Sequence, residues 1–201
     1  MKNNWVKLLI ILLVSIMAFT GCVRAKKEYS NNKSLDMEIE SLIDFIKPEE
    51  KEMWGFEEND DLNSITVGEG VLVYYLNAEH EIVTDGKYFY YLYCDGKMRT
   101  GLIMKDDVLI QSTGGSGYLA DYIRIYEKEL EKDSSVSNYS VLQFRNTFLL
   151  MYRRDDNLFL IGDPGIFQMP KENAYTFQSF LEELEGFIKA LEEFCAEYGC
   201  D

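Results

Sequence analysis

The chain is short of several things: it has one histidine, three prolines and four cysteines in 201 residues, and 20 basic residues against 35 acidic ones. Each shortage excludes a chemistry. The lone imidazole, His80, has no Gly-x-Ser-x-Gly segment to supply it with a serine nucleophile. The cysteine spacings spell no metal site, and no motif implies a cofactor. The excess of acid gives a formal charge of −15, which repels phosphate backbones and argues against a nucleic-acid partner. A bilayer span takes roughly 20 apolar residues. The apolar run at residues 8–19 is twelve residues long, Ser15 included.

What the chain does have begins at that run. Lys2 and Lys7 precede it and the small residues Thr20 and Gly21 follow, the order of parts in a secretory signal peptide that is removed from the mature protein. The residues FTGC at 19–22 resemble the lipobox of bacterial lipoproteins, with Phe19 standing where an aliphatic residue is usual. The resemblance implies cleavage before Cys22, a diacylglyceryl group on its thiol, and an extracytoplasmic protein anchored to the bacterial cell membrane. Two acyl chains make such an anchor stable, because each buried methylene contributes about 0.8 kcal/mol. Arg24, Lys26 and Lys27 would then sit beside the headgroups, each adding about 1 kcal/mol of attraction to anionic lipid.

Three segments are expected: a signal peptide at 1–21, the lipidated cysteine and a polar tether at 22–34, and a single globular domain at 35–201. An apolar fraction of 47% is ample for a core. Taking the five basic residues Lys2, Lys7, Arg24, Lys26 and Lys27 from −15 leaves −20 on residues 28–201, an acidic head that an anionic surface pushes away. In a compartment that permits disulfides, Cys195 and Cys200 are candidates for a small terminal bridge, while Cys94 reads as a buried hydrophobe.

Periodicity gives the elements. Leu35, Ile39, Leu42, Ile43 and Ile46 share a helical face behind Ser34 as candidate N-cap, and Pro48 opens a short second helix closed by Gly55. SITV, GVLVYYL, KYFYYLYC, MRTGLIM and VLIQS read as strands, and Asp95-Gly96 between two of them suits a type I′ hairpin. Leu119, Tyr122, Ile123, Tyr126 and Leu130 form a helical stripe, after which YSVLQF, TFLLMYRR and LFLIG are further strands. Apolar residues from Phe177 to Tyr198 then recur at three and four, marking a long amphipathic helix capped by Thr176. Gly186 inside it suggests close backbone packing, and Gly199 supplies a stop. Clustered strands predict an α+β fold. We expect a largely antiparallel sheet of about seven or eight short strands, with an N-terminal, a central and a long C-terminal helix packed on one face.

Candidates for function are few. Gly114, Gly115 and Gly117 precede a helix, where free backbone NH groups bind anions, yet no Walker lysine accompanies them. A strand-to-helix joint capped by Ser116 is the favoured reading. Glu57, Glu58, Asp60 and Asp61, and separately Asp155 and Asp156, are acidic loops without EF-hand spacing. Among the strand tyrosines, Tyr74, Tyr90, Tyr91 and Tyr93 are candidate partner contacts, provided that one set lies outside the core. The succession of helix, aromatic antiparallel strands and hairpins resembles, in architecture alone, the small inhibitory pro-domains of bacterial secreted cysteine peptidases, which implies an inhibitor-like role. The expectation is a lipid-anchored binding or accessory module for an envelope or secreted protein. The alternative is an envelope hydrolase using dispersed carboxylates, which leave no local signature.

Overall fold

The computed structural model describes residues 32–198 except 115, 134, 171 and 172. The expected signal peptide, the lipid site Cys22, and Gly115, Gly199 and Cys200 lie outside the described residues.

Helix α1 (Lys33–Phe45) buries Leu35, Ile39 and Leu42. Its cap is Asn32, one residue before the helix, whose Oδ1 accepts hydrogen bonds from the backbone of Ser34 at 2.9 Å and Leu35 at 3.2 Å. Ser34, expected as the cap, is already inside the first turn. A 3-10 helix (Pro48–Trp54) follows, opened by its proline and ended by Gly55 in the left-handed conformation at φ 87°.

The strands then come in two groups. The first comprises β1 (Thr66–Leu76), β2 (Ile82–Val83), β3 (Tyr88–Cys94), β4 (Lys97–Lys105) and β5 (Val108–Thr113). After α2 (Leu119–Lys132) come β6 (Ser140–Phe144), β7 (Thr147–Arg154), β8 (Asn157–Ile161) and β9 (Tyr175–Thr176), and then α3 (Phe177–Tyr198) closes the fold. Among the described residues there are nine strands, close to the expected seven or eight: SITV and GVLVYYL are one strand, β1, while β2 and β9 are two-residue pairings too short to leave a pattern. The fold is α+β as expected.

The sheet order is β5-β4-β3-β1-β6-β7-β8-β9, with β2 paired to β1. All pairs are antiparallel except β1 with β6. The molecule is thus two antiparallel meanders, each starting at the centre of the sheet and running outward, joined along one parallel seam. Tight turns make the meanders: Asp95 and Gly96 have φ of 50° and 73°, as a type I′ turn requires.

Helices cover both faces, which corrects the one-face expectation. In β3 the side chains alternate between two buried sets: Phe89 and Tyr91 join the core under α2, while Leu92 and Cys94 join the core under α1. Strands apolar on both sides need cover on both sides. On the α1 face, α3 buries a third cluster with Leu142, Leu149 and Leu160. The core under α2 spans the seam, with Val73 of β1 opposite Val141 of β6.

Candidate functional site

The parallel seam creates a place where two strands part. Beyond Leu76 the chain turns back toward β2 and β3, and beyond Phe144 it turns the other way into β7. Loops that diverge from the carboxyl ends of adjacent parallel strands leave a crevice between them, the reason ligands favour such points in open α/β sheets. A groove of about 480 Å³ lies there, between those two strand ends and α3.

Its rim is built by two loops. Asn77 organises the first: its Oδ1 accepts from the backbone of Glu79 at 3.0 Å and Glu81 at 2.8 Å, and its Nδ2 donates to Glu81 Oε2 at 3.1 Å. His80 completes that loop in the left-handed region at φ 61°, and Arg145 does the same for the β6–β7 turn at φ 54°. Both side chains line the groove, and neither is in an ion pair among the described residues. The wall is apolar. Leu184 is buried, Phe187 and Ile188 are half-buried, and Leu191 is 49% exposed. The α3 stripe therefore starts under the sheet and runs out from beneath it.

The four expected tyrosines do not share a surface. Strand alternation puts Tyr91 and Tyr93 on the α2 face and Tyr74 and Tyr90 on the other. Tyr91 is only 2% exposed, so it is a core residue and is withdrawn as a partner contact. Burial pushes its phenol far above the ordinary tyrosine range. Tyr93 is half-buried with its ring against Gly68, and the Tyr90 ring lies over Gly70. Tyr74 alone of the four packs against the α3 cluster that forms the groove wall. Its neighbour Tyr75 lines the groove and is 37% exposed.

The other candidates are absorbed by structure. Arg99 sits at a bulge in β4, which turns it off the pleat toward the acidic loop. Its guanidinium donates to Asp60 at 2.9 Å and to Glu57, and the second Asp60 oxygen accepts from the Glu57 backbone at 2.8 Å. The bond from Arg99 holds the Glu57 carboxyl below its ordinary range. Lys51 tightens the same loop through the carbonyls of Glu58 and Asp60 at 3.0 and 2.6 Å. Asp60, Cys94 and Asp95 have potential ligand atoms within 4.8 Å of one another. There Asp60 is already engaged with Arg99, and the Cys94 thiol donates to the Asp61 carbonyl at 3.2 Å. Cys94 is fully buried, as expected.

A Cβ on Gly114 would stand 2.9 Å from the Met53 carbonyl, so that glycine permits close packing on the 3-10 helix. Ser116 is 2% exposed and accepts from the Thr113 hydroxyl at 3.1 Å; it does not cap α2, whose N-cap is Tyr118. Asp155, at φ 54°, and Asp156 form the β7–β8 turn. Cys195 is disulfide-bonded, and its partner lies outside the described residues.

Sequence reasoning missed Gln143, Phe144, Arg145 and Ile166 of the groove. No local pattern marks them, because the pairing of β1 with β6 is what brings Gln143, Phe144 and Arg145 to His80, while Ile166 comes from the loop between β8 and β9. Comparison with known proteins finds no matching family, no matching curated relative and no matching solved structure. No helix among the described residues is long and apolar enough to cross a membrane.

Proposed function

We propose that this chain is a lipid-anchored extracytoplasmic module that binds an envelope or secreted protein partner through the groove between β1, β6 and α3. The observation that supports binding is the groove itself, an open crevice with an apolar helix as its wall and, at its rim, His80 and Arg145 side chains that are in no ion pair among the described residues. Concave apolar sites with a few convergent polar groups are the usual form of a recognition site. The anchor rests on FTGC at 19–22. Asn32, the first described residue, donates to Asp107 at 2.9 Å in the β4–β5 turn. By strand direction that turn lies at the same end of the sheet as the groove. Ten residues of tether from Cys22 reach about 35 Å at most, so in the anchored reading the tether enters the domain at the groove end of the sheet, within that distance of the lipid.

Mass spectrometry of the mature N-terminus tests the anchor: the chain should begin at a lipid-modified Cys22, and Cys22→Ser should abolish the modification. A mature chain beginning elsewhere overturns it. Affinity capture with residues 28–201 should enrich one partner reproducibly, with Leu191→Asp as the blank. Hydrolytic activity that is lost on carboxylate substitution, with no partner enriched, would move the function to the hydrolase.

A further inference from the structure

The groove wall also carries information about the partner. Leu184, Phe187, Ile188 and Leu191 are spaced i, i+3, i+4 and i+7 along α3, the spacing with which one helix receives another. At about 100° of turn per residue, Glu183 falls on one flank of that stripe and Glu185 and Glu192 on the other. All three are exposed. The opposite rim adds Glu79 and Glu81, exposed on either side of His80, so five carboxylates flank a groove whose lining holds one guanidinium, that of Arg145. An apolar stripe edged by carboxylates is complementary to an apolar stripe edged by lysine or arginine. A second copy of this chain is the wrong occupant, since its α3 would bring the same carboxylates against these.

We propose, resting on the binding reading above, that the groove takes a cationic amphipathic helix of the partner, laid along α3 with its apolar residues on Leu184, Phe187, Ile188 and Leu191. The acidic body then speeds encounter with a basic partner, while the stripe fixes where it docks.

The test uses the full mature chain in phosphatidylcholine nanodiscs, with empty nanodiscs as the blank. The probes are a leucine–lysine amphipathic helical peptide and its leucine–glutamate counterpart of the same pattern, followed by fluorescence anisotropy. The leucine–lysine peptide should bind and the leucine–glutamate peptide should not. Leu191→Asp, at a half-exposed position that the fold does not need, should weaken binding about tenfold or more, the loss typical of a central interface contact. Reversing Glu183 and Glu192 to lysine should weaken the basic peptide and admit the acidic one. Reversing the remote Asp155 and Asp156 should change little.

Equal binding of both peptides overturns the proposal, and so does an equal effect from the remote reversals, which would reduce it to bulk charge. A self-association of the chain that Leu191→Asp abolishes would assign the stripe to a second copy instead. Failure of the lipid anchor would show only in the N-terminal mass, so the two ideas fail separately.

Discussion

Phe89 and Gly101 show how closely single residues are matched. They lie diagonally across β3 and β4, and a Cβ on Gly101 would stand 2.3 Å from the Phe89 ring, which is itself fully buried. Gly101→Ala should therefore destabilise the domain by about 1–3 kcal/mol, the usual cost of overpacking, as read from urea unfolding. Gly70→Ala meets the Tyr90 ring at 2.7 Å, but that ring is half-exposed and free to swing aside, so its cost should be smaller. Arg99 is matched by charge. Asp60 is 5% exposed with Arg99 as its ion-pair partner and keeps only the Glu57 backbone bond without it, so Arg99→Ala should cost about 1–3 kcal/mol, the cost of a buried acceptor that loses a partner. The exposed Glu57 adds a pH signature. Its folded pKa is lowered, so its stabilisation is complete above the ordinary glutamate value of about 4.3 and is lost as pH falls through the folded value. Acid unfolding of the wild type should show that loss, and Glu57→Gln should lack it; identical acid profiles would refute the coupling. None of this was legible beforehand. Bulged Arg99 looks like any other strand residue in sequence, and its two carboxylates sit in a loop that reads as merely solvated.

Helix α3 is the element whose existence was plainest in the sequence and whose surroundings were not. Its period and its Thr176 cap were legible, and Thr176 Oγ1 does accept from the Ser179 backbone at 3.1 Å. Thr176→Ala should cost about 1 kcal/mol, measurable as a lowered thermal midpoint. A three-and-four period states that one side is apolar; it cannot state how far the sheet beneath extends. The sheet ends under the first half, so the stripe emerges into the groove at Leu191. Gly186 gives the same lesson. Close packing was the expected reason for a glycine there, yet nothing lies within 4 Å of where its Cβ would be, and the residue is exposed. Gly186→Ala should therefore stabilise the protein by about 1 kcal/mol through helix propensity alone. A destabilised Gly186→Ala would mean that the glycine has a contact or a bend to protect.

At the scale of the whole molecule, the two meanders are each complete antiparallel units, yet the core does not divide between them. Val73, Phe89 and Tyr91 of the first share one cluster with Val141, Phe148 and Leu150 of the second, and α2 lies across it. The strand content and fold class were legible because hairpin turns and β-branched runs are local signals. The parallel seam was not, since the pattern of β1 and β6 is equally compatible with either neighbour and either direction. The two-sided cover was present in principle, in the apolar residues at successive positions of β3, and needed the register to be read. A shared core should make unfolding one event. Calorimetry should show a single transition, and Val141→Ala, fully buried at the seam, should lower its midpoint by removing about 2 kcal/mol of burial without splitting it. Native-state hydrogen exchange should lose protection in β3 and in β7 together. Two resolved transitions, or protection in β7 that survives loss of β3, would show that the meanders fold as separate units, and the groove between their diverging ends would then be a hinge instead of a preformed site.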